Sequence, residues 1–334
     1  MRCFWDERQR AHAPTGEFFN GAMHRAAEHA GRVDAILQSI GPTEGPSDFG
    51  RDPLLRVHTP DYLEFLKTAH TLWQAGGREG DAFPYTFPVV QRRPLKLQRI
   101  DALLGQYSFD TSTPIGPGTW EASYWAAQTA LAATECVLSG ERNAFAVCRP
   151  PGHHCGADYL GGYSYLSNAA IAAEHAISSG RKRIAILDVD YHHGNGTQDI
   201  FYERADVLYV SIHADPVMDY PYFWGHADER GSGAGEGATL NLPLPRGTDW
   251  SVYLPALTQA LDAVEKHAPD LLIVSYGADT YEGDPISYFK LRTSDYAPLA
   301  RRIGSLNLPT VVVMEGGYAV DALGANVAEF LSGF

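Results

Sequence analysis

The chain has 334 residues, 45% of them apolar and 20% charged, which is enough material for a large buried core and unlike a disordered or fibrous chain. With 26 Lys and Arg against 40 Asp and Glu, the formal charge of −14 argues against nonspecific nucleic-acid binding and draws cations through the summed field. Four scattered cysteines, Cys3, Cys136, Cys148 and Cys155, form neither a disulfide framework nor a zinc-ribbon spacing and fit a reducing compartment.

The opening stretch MRCFWDERQRAHAP is charged and lacks an apolar signal core. No apolar run approaches the roughly 20 residues of a membrane span, so a cytoplasmic protein with no membrane partner is expected. Further along, from Ala82 to Gly118, Pro84, Pro88, Pro94, Pro114 and Pro117 stand among aromatic and basic residues without periodicity. Residues 80–118 therefore read as a long loop insertion, a candidate subunit interface and active-site rim. Beyond it, apolar runs predict strands at 144–148, 183–189, 207–212, 271–275 and 310–314. Ala-rich amphipathic stretches predict helices at 120–138, 166–179, 250–267 and 294–305. Strand-then-helix alternation with strands apolar throughout is the pattern of a sheet covered on both faces. The expected fold is α/β, a single domain over residues 1–334 with a central, mostly parallel sheet flanked by helices.

Each strand runs into a polar or Gly-rich ending: RPPGHHC, DYHHGNG, HADP, GADT and EGGY. Parallel sheets gather such endings in one crevice, so His153, His154, Asp188, Asp190, His192, His193, His213, Asp279 and Tyr318 should converge. Residues two apart on an extended strand face the same way, so Asp190 and His192 can reach one metal ion, and Asp279 completes the three protein ligands usual in catalytic zinc sites. Ferrous iron is an alternative for such a ligand set. His153 and His154, on a loop stiffened by Pro150 and Pro151, supply a general base and an electrostatic companion, with Asp188 and Asn195 available to orient the rings. Tyr318, after two glycines, can donate to an oxyanion. A metal, a His base and a phenol donor are equipment for metal-assisted hydrolysis of an amide or ester, with His154 taking the water proton and returning one to the leaving amine.

RPPGHHC, GGYSYLSNAA, DVDYHHGNGTQDIFY, GADTYEGDP and EGGY, in this order, resemble the histone deacetylase family of the arginase-deacetylase superfamily. HADP, YPYFWGHADERG, GAGEG and DPISYFKL, with the insertion after Gly80, are more similar to its bacterial acetylpolyamine amidohydrolases. The resemblance implies zinc on Asp190, His192 and Asp279, with His154 as general base and acid, His153 as electrostatic partner and Tyr318 as oxyanion donor. It also implies that Tyr163 and Tyr220 flank a narrow tunnel along which the Gly162 carbonyl lies, and that Asp188 and Ser211 help hold a structural potassium ion. It further implies that the insertion pairs two subunits into a homodimer. Glu17 and Asp101 match acidic positions that meet the ammonium groups of a small cationic acetylated amine. Ser112 stands where a further acid is common, although Asp110 is near, and Asn195 stands where some members carry Asp.

Deacetylation of acetylpolyamines is thus expected, with a broad acetyl-lysine or small-amide deacetylase as the alternative in the same chemistry. A silent binding protein on the same scaffold and a dimanganese hydrolase are the readings from other classes. The latter would need bridging acids where His193 and Gly194 stand. Gly231, Gly233, Gly235 and Gly237 mimic a nucleotide loop, but they precede an extended stretch and not the helix N-terminus that a phosphate requires.

Overall fold

The computed structural model describes residues 1–89 and 96–334, and Pro94 of the predicted insertion lies outside the described residues. Among the described residues the ten strands are β1 (Arg2–Phe4), β2 (Glu17–Phe19), β3 (Ala22–His24), β4 (Thr43–Glu44), β5 (Asn143–Ala146), β6 (Ile184–Asp188), β7 (Val207–Ala214), β8 (Thr239–Leu244), β9 (Leu271–Tyr276) and β10 (Thr310–Met314). The α-helices are α1 (Gly31–Ser39), α2 (Asp52–Leu55), α3 (Pro60–Ala75), α4 (Ile100–Gln106), α5 (Thr119–Leu138), α6 (Asn168–Ser178), α7 (Asn195–Phe201), α8 (Trp250–His267), α9 (Thr293–Gly304) and α10 (Val320–Ser332).

Eight strands make one sheet in the order β4-β1-β5-β10-β9-β6-β7-β8, every neighbouring pair parallel, and β2 and β3 form a separate antiparallel hairpin. Side chains alternate across this sheet. Ile184 and Ile186 of β6, with Leu271 and Ile273 of β9, pack on one face with residues of α3, α4, α5 and α6. Ala185 and Leu187, with Leu272 and Val274, pack on the other with α1, α8, α9 and α10. Burial on both faces is why these strands are apolar at every position and not at alternate ones. Asp188 ends β6, in register with Ser211 of β7 on one side and Ser275 of β9 on the other.

The expected α/β class and parallel sheet hold. Two helix ends are set by local chemistry: Thr59 accepts from the Tyr62 N–H with Pro60 opening α3, and Asp249 accepts from the Ser251 and Val252 N–H groups to open α8. The insertion is less irregular than its sequence suggests, because it contains α4. Ile100, Leu104 and Tyr107 enter the core, and Ala82 and Ile115 close its base with two backbone hydrogen bonds of 2.9 and 3.0 Å. Tyr85, Phe87 and Val89 stay exposed.

Candidate active site

The chain runs outward from β6 through β7 to β8, returns to β9, and then fills the gap beside β5 with β10. The endings of β5, β6, β9 and β10 therefore meet at one crevice, as expected where strand order reverses. Asp190, His192 and Asp279 present ligand atoms that all lie within 4.8 Å of one another. Backbone N–H groups hold the two acids. The Asp190 carboxylate accepts from His192 N at 2.8 Å and from Gly316 N at 2.8 Å, and Asp279 accepts from Tyr191 N at 3.0 Å. Gly277 leaves room for them, since a Cβ there would collide with the Asp190 carboxylate.

The electrostatics are those of a cation site. Burial, then the charge of Asp190, pushes Asp279 up to about 7. Burial alone would raise Asp190 too, but His153 and His192 hold it well below the usual carboxylate range. Burial opposes the charged form of His192, yet the same two acids push it up to about 10. Two buried carboxylates crowding one imidazole fit a divalent ion, which would offset their repulsion and match the oxygen and nitrogen donors of a zinc or iron site.

His153 and His154 are adjacent, with ring centroids 4.1 Å apart, but their environments drive them in opposite directions. His153 Nδ1 lies 3.0 Å from Asp188 Oδ2, and although burial disfavours its charge, Asp188 and Asp190 push it up to about 10. His154 is driven well below its ordinary value by burial and then by the positive fields of His153 and His192. Its Nδ1 lies 2.7 Å from Asn195 Oδ1, an acceptor, so Nδ1 carries the proton and donates, leaving the Nε2 lone pair free. Asp188 and Asn195 thus orient the two rings, one each.

A cavity of about 280 Å³ opens above the crevice, lined by His154, His192 and Tyr318 at its base and by Glu17, Gly162, Tyr163 and Tyr220 among others. Gly162 has φ +54°, and a Cβ there would collide with the His154 ring, so only glycine fits. Asp110 braces this wall: its Oδ2 accepts from Gly162 N at 2.7 Å and from the Tyr220 hydroxyl at 2.9 Å. Glu17, on β2, is buried and raised by that burial. Asp101 does not line the cavity; on α4 it pairs with Arg78 and with Arg99 at 2.8 Å. His193 and His213 are buried beside the crevice, His193 against Gln198 and Asn241, His213 against Ser211 and the Gly225 carbonyl.

Several supporting residues escaped the sequence reading. Glu315 is fully buried; its Oε2 accepts from Gly152 N at 2.7 Å and His153 N at 3.1 Å, and its Oε1 from Ser275 Oγ at 3.2 Å. Asp284 accepts from Tyr318 N at 2.7 Å and Ala319 N at 3.2 Å. Arg32, from α1, donates to the Gly317 and Glu315 carbonyls at 2.7 and 2.6 Å, with its guanidinium 4.8 Å from the Tyr318 ring centre. Glu315 and Asp284 stand inside EGGY and GADTYEGDP, so the motifs carried a signal for them. Arg32 had none.

Residues 23–334 match the histone deacetylase domain. The chain belongs to the histone deacetylase family. Within that family it is 48% identical to acetylpolyamine amidohydrolase 1 of Pseudomonas aeruginosa, over 100% of this chain and 99% of that protein. It is 42% identical to the acetylpolyamine amidohydrolase of Mycoplana ramosa over 100% and 99% of the two chains. The crystal structure of acetylpolyamine aminohydrolase from Burkholderia pseudomallei superposes with a TM-score of 0.95 at 42% identity, covering 100% of this chain and 98% of that one. Among the described residues, no helix is long and apolar enough to cross a membrane.

Proposed function

We propose that this chain is a metal-dependent amidohydrolase that removes acetyl groups from small cationic amines of the acetylpolyamine type. The observation that carries the reading is the shared cavity. His154 and Tyr318 face the same space as His192, whose ring joins Asp190 and Asp279 in a three-ligand cluster, and a buried carboxylate, Glu17, lines the wall. The names and full-length similarity of the relatives support the substrate class.

A zinc or ferrous ion on Asp190, His192 and Asp279 would supply Lewis-acid polarisation of the amide carbonyl and a more acidic water. His154, neutral with Nδ1 tied to Asn195, takes the water proton on Nε2 and later delivers it to the leaving amine. His153, held cationic by Asp188, keeps His154 from protonating prematurely and adds positive field where negative charge develops. Tyr318 donates its hydroxyl to the oxyanion, its backbone fixed by Asp284 and its ring by Arg32. Tyr163 and Tyr220 flank the methylene chain, the Gly162 carbonyl lies beside the amide, and Glu17 receives an ammonium. Asp188 and Ser211 contribute to a structural potassium site. A homodimer through residues 80–118 would cover exposed Tyr85, Phe87 and Val89 and bring Asp101 toward the shared rim.

The test is steady-state turnover of N-acetylputrescine, N-acetylspermidine, an acetyl-lysine peptide and a neutral N-alkylacetamide, before and after chelation. Chelator-sensitive hydrolysis favouring the acetylpolyamines supports the reading. Equal rates on the neutral amide move it to a broad small-amide deacetylase, and no hydrolysis of any acylated amine overturns it.

A further inference from the structure

Resting on the reading above, one feature of the cavity runs against its expected ligands. The substrates are cations, yet Arg246 lines the wall and is the one Arg or Lys among the described lining residues. It is held in place. Nε donates to Asp219 Oδ2 and Nη2 to Asp219 Oδ1, both at 2.9 Å, while Nη2 also reaches the Met218 carbonyl at 3.1 Å. Its guanidinium lies 3.9 Å from the centre of the Tyr288 ring, and Tyr288 lines the same cavity.

Asp219 therefore differs from the other acid on the wall. Both of its oxygens are taken by a two-pronged guanidinium, and its side chain is only 7% exposed. Glu17, by contrast, accepts from the Ala27 N–H at 3.2 Å and from the Tyr163 hydroxyl, and forms no ion pair with Arg or Lys among the described residues. One carboxylate is open to an incoming ammonium and the other is neutralised by the protein's own cation.

We infer that the Arg246–Asp219 pair is a specificity determinant that makes the cavity favour acetylated amines with a single ammonium group over those with two. The first ammonium of a substrate pairs with Glu17. A second, as in an acetylated triamine, finds no free acid among the described lining residues, because Arg246 neutralises Asp219. The pair carries no net charge, so breaking it from either side moves selectivity in opposite directions. Removing the guanidinium exposes an acid to the second ammonium. Removing the carboxylate charge leaves a lone cation facing it. Between charges a few ångströms apart in a partly wet cleft, such a change amounts to about five- to tenfold in kcat/KM.

The experiment measures the kcat/KM ratio of N-acetylspermidine to N-acetylputrescine in the metal-loaded enzyme. Arg246→Gln raises the ratio about five- to tenfold, Asp219→Asn lowers it by a similar factor, and the double variant, neutral again, returns it near the wild-type value. High salt shrinks both single-variant effects. If one single variant fails to fold by thermal melt, the other still decides, because the predicted signs are opposite. A ratio unmoved in whichever folded single variants are obtained, or moved in the same direction by both, overturns the inference while leaving the deacetylase reading intact. Absence of turnover of every acetylated amine by the unaltered enzyme is the distinct result that removes that reading.

Discussion

Glu315 joins three of the four strand endings that form the site, and its removal has a calculable cost. Its carboxylate accepts from the Gly152 and His153 N–H groups and from Ser275 Oγ, tying the end of β10 to the His153–His154 loop and to β9. Glu315→Ala strands two buried backbone donors. At about 1–3 kcal/mol each, the loss is about 2–6 kcal/mol, a large share of the roughly 5–15 kcal/mol that holds a domain folded. The loop it frees carries the proposed base, where a displacement of about 1 Å costs about a hundredfold in rate. Glu315→Gln keeps one oxygen able to accept both N–H groups and an amide that can donate to Ser275, so stability within about 1 kcal/mol of wild type is expected. Urea unfolding of the three proteins, paired with kcat on N-acetylputrescine, reads both effects. If alanine unfolds at the wild-type midpoint, the hydrogen bonds carry little. If glutamine is as damaged as alanine, charge and not hydrogen-bond geometry is what matters, and the reasoning fails.

Tyr318→Phe removes a single oxyanion donor and should lower kcat by about 10²–10³ while metal content measured by elemental analysis stays at the wild-type level. A change in kcat below about tenfold would remove the phenol from the proposed chemistry. His58, buried with its Nε2 accepting from Ser167 N, is driven from 6.5 down to about 4 by burial. A depressed folded value means the stabilisation is full above pH 6.5 and drains away as the pH falls towards 4. Wild type should therefore lose up to about 3 kcal/mol more than His58→Gln over that window, read from chemical denaturation at each pH. Parallel pH profiles would contradict this.

Much of the sheet was legible because β5, β6, β7, β9 and β10 are buried on both faces and so stand out as unbroken apolar runs. β1 and β4 did not, because strands of three and two residues bordered by charges carry too little pattern. The helix α3 was missed despite its Thr-Pro opening. Within the site, Asp190, His192 and Asp279 could be read from strand ends and spacing. The braces could not, because a side chain such as Arg32, distant in sequence from the Gly317 carbonyl it holds, gains its meaning only from tertiary contact. Asp110 shows the same limit: the sequence marks it only as an acid near Ser112, and its grip on Gly162 and Tyr220 depends on a loop geometry that no local pattern encodes.

The position of β10 bears on how the molecule comes into being. This strand, residues 310–314 of 334, sits between β5 and β9 near the middle of the sheet. While the chain emerges from the ribosome, β4-β1-β5 and β9-β6-β7-β8 are two half-sheets, each with a bare parallel edge waiting for a late partner. A product stopped short of residue 310 leaves both edges unpaired, a template for aggregation. Docking of β10 pairs both edges at once, so one five-residue strand joins the two halves of the sheet.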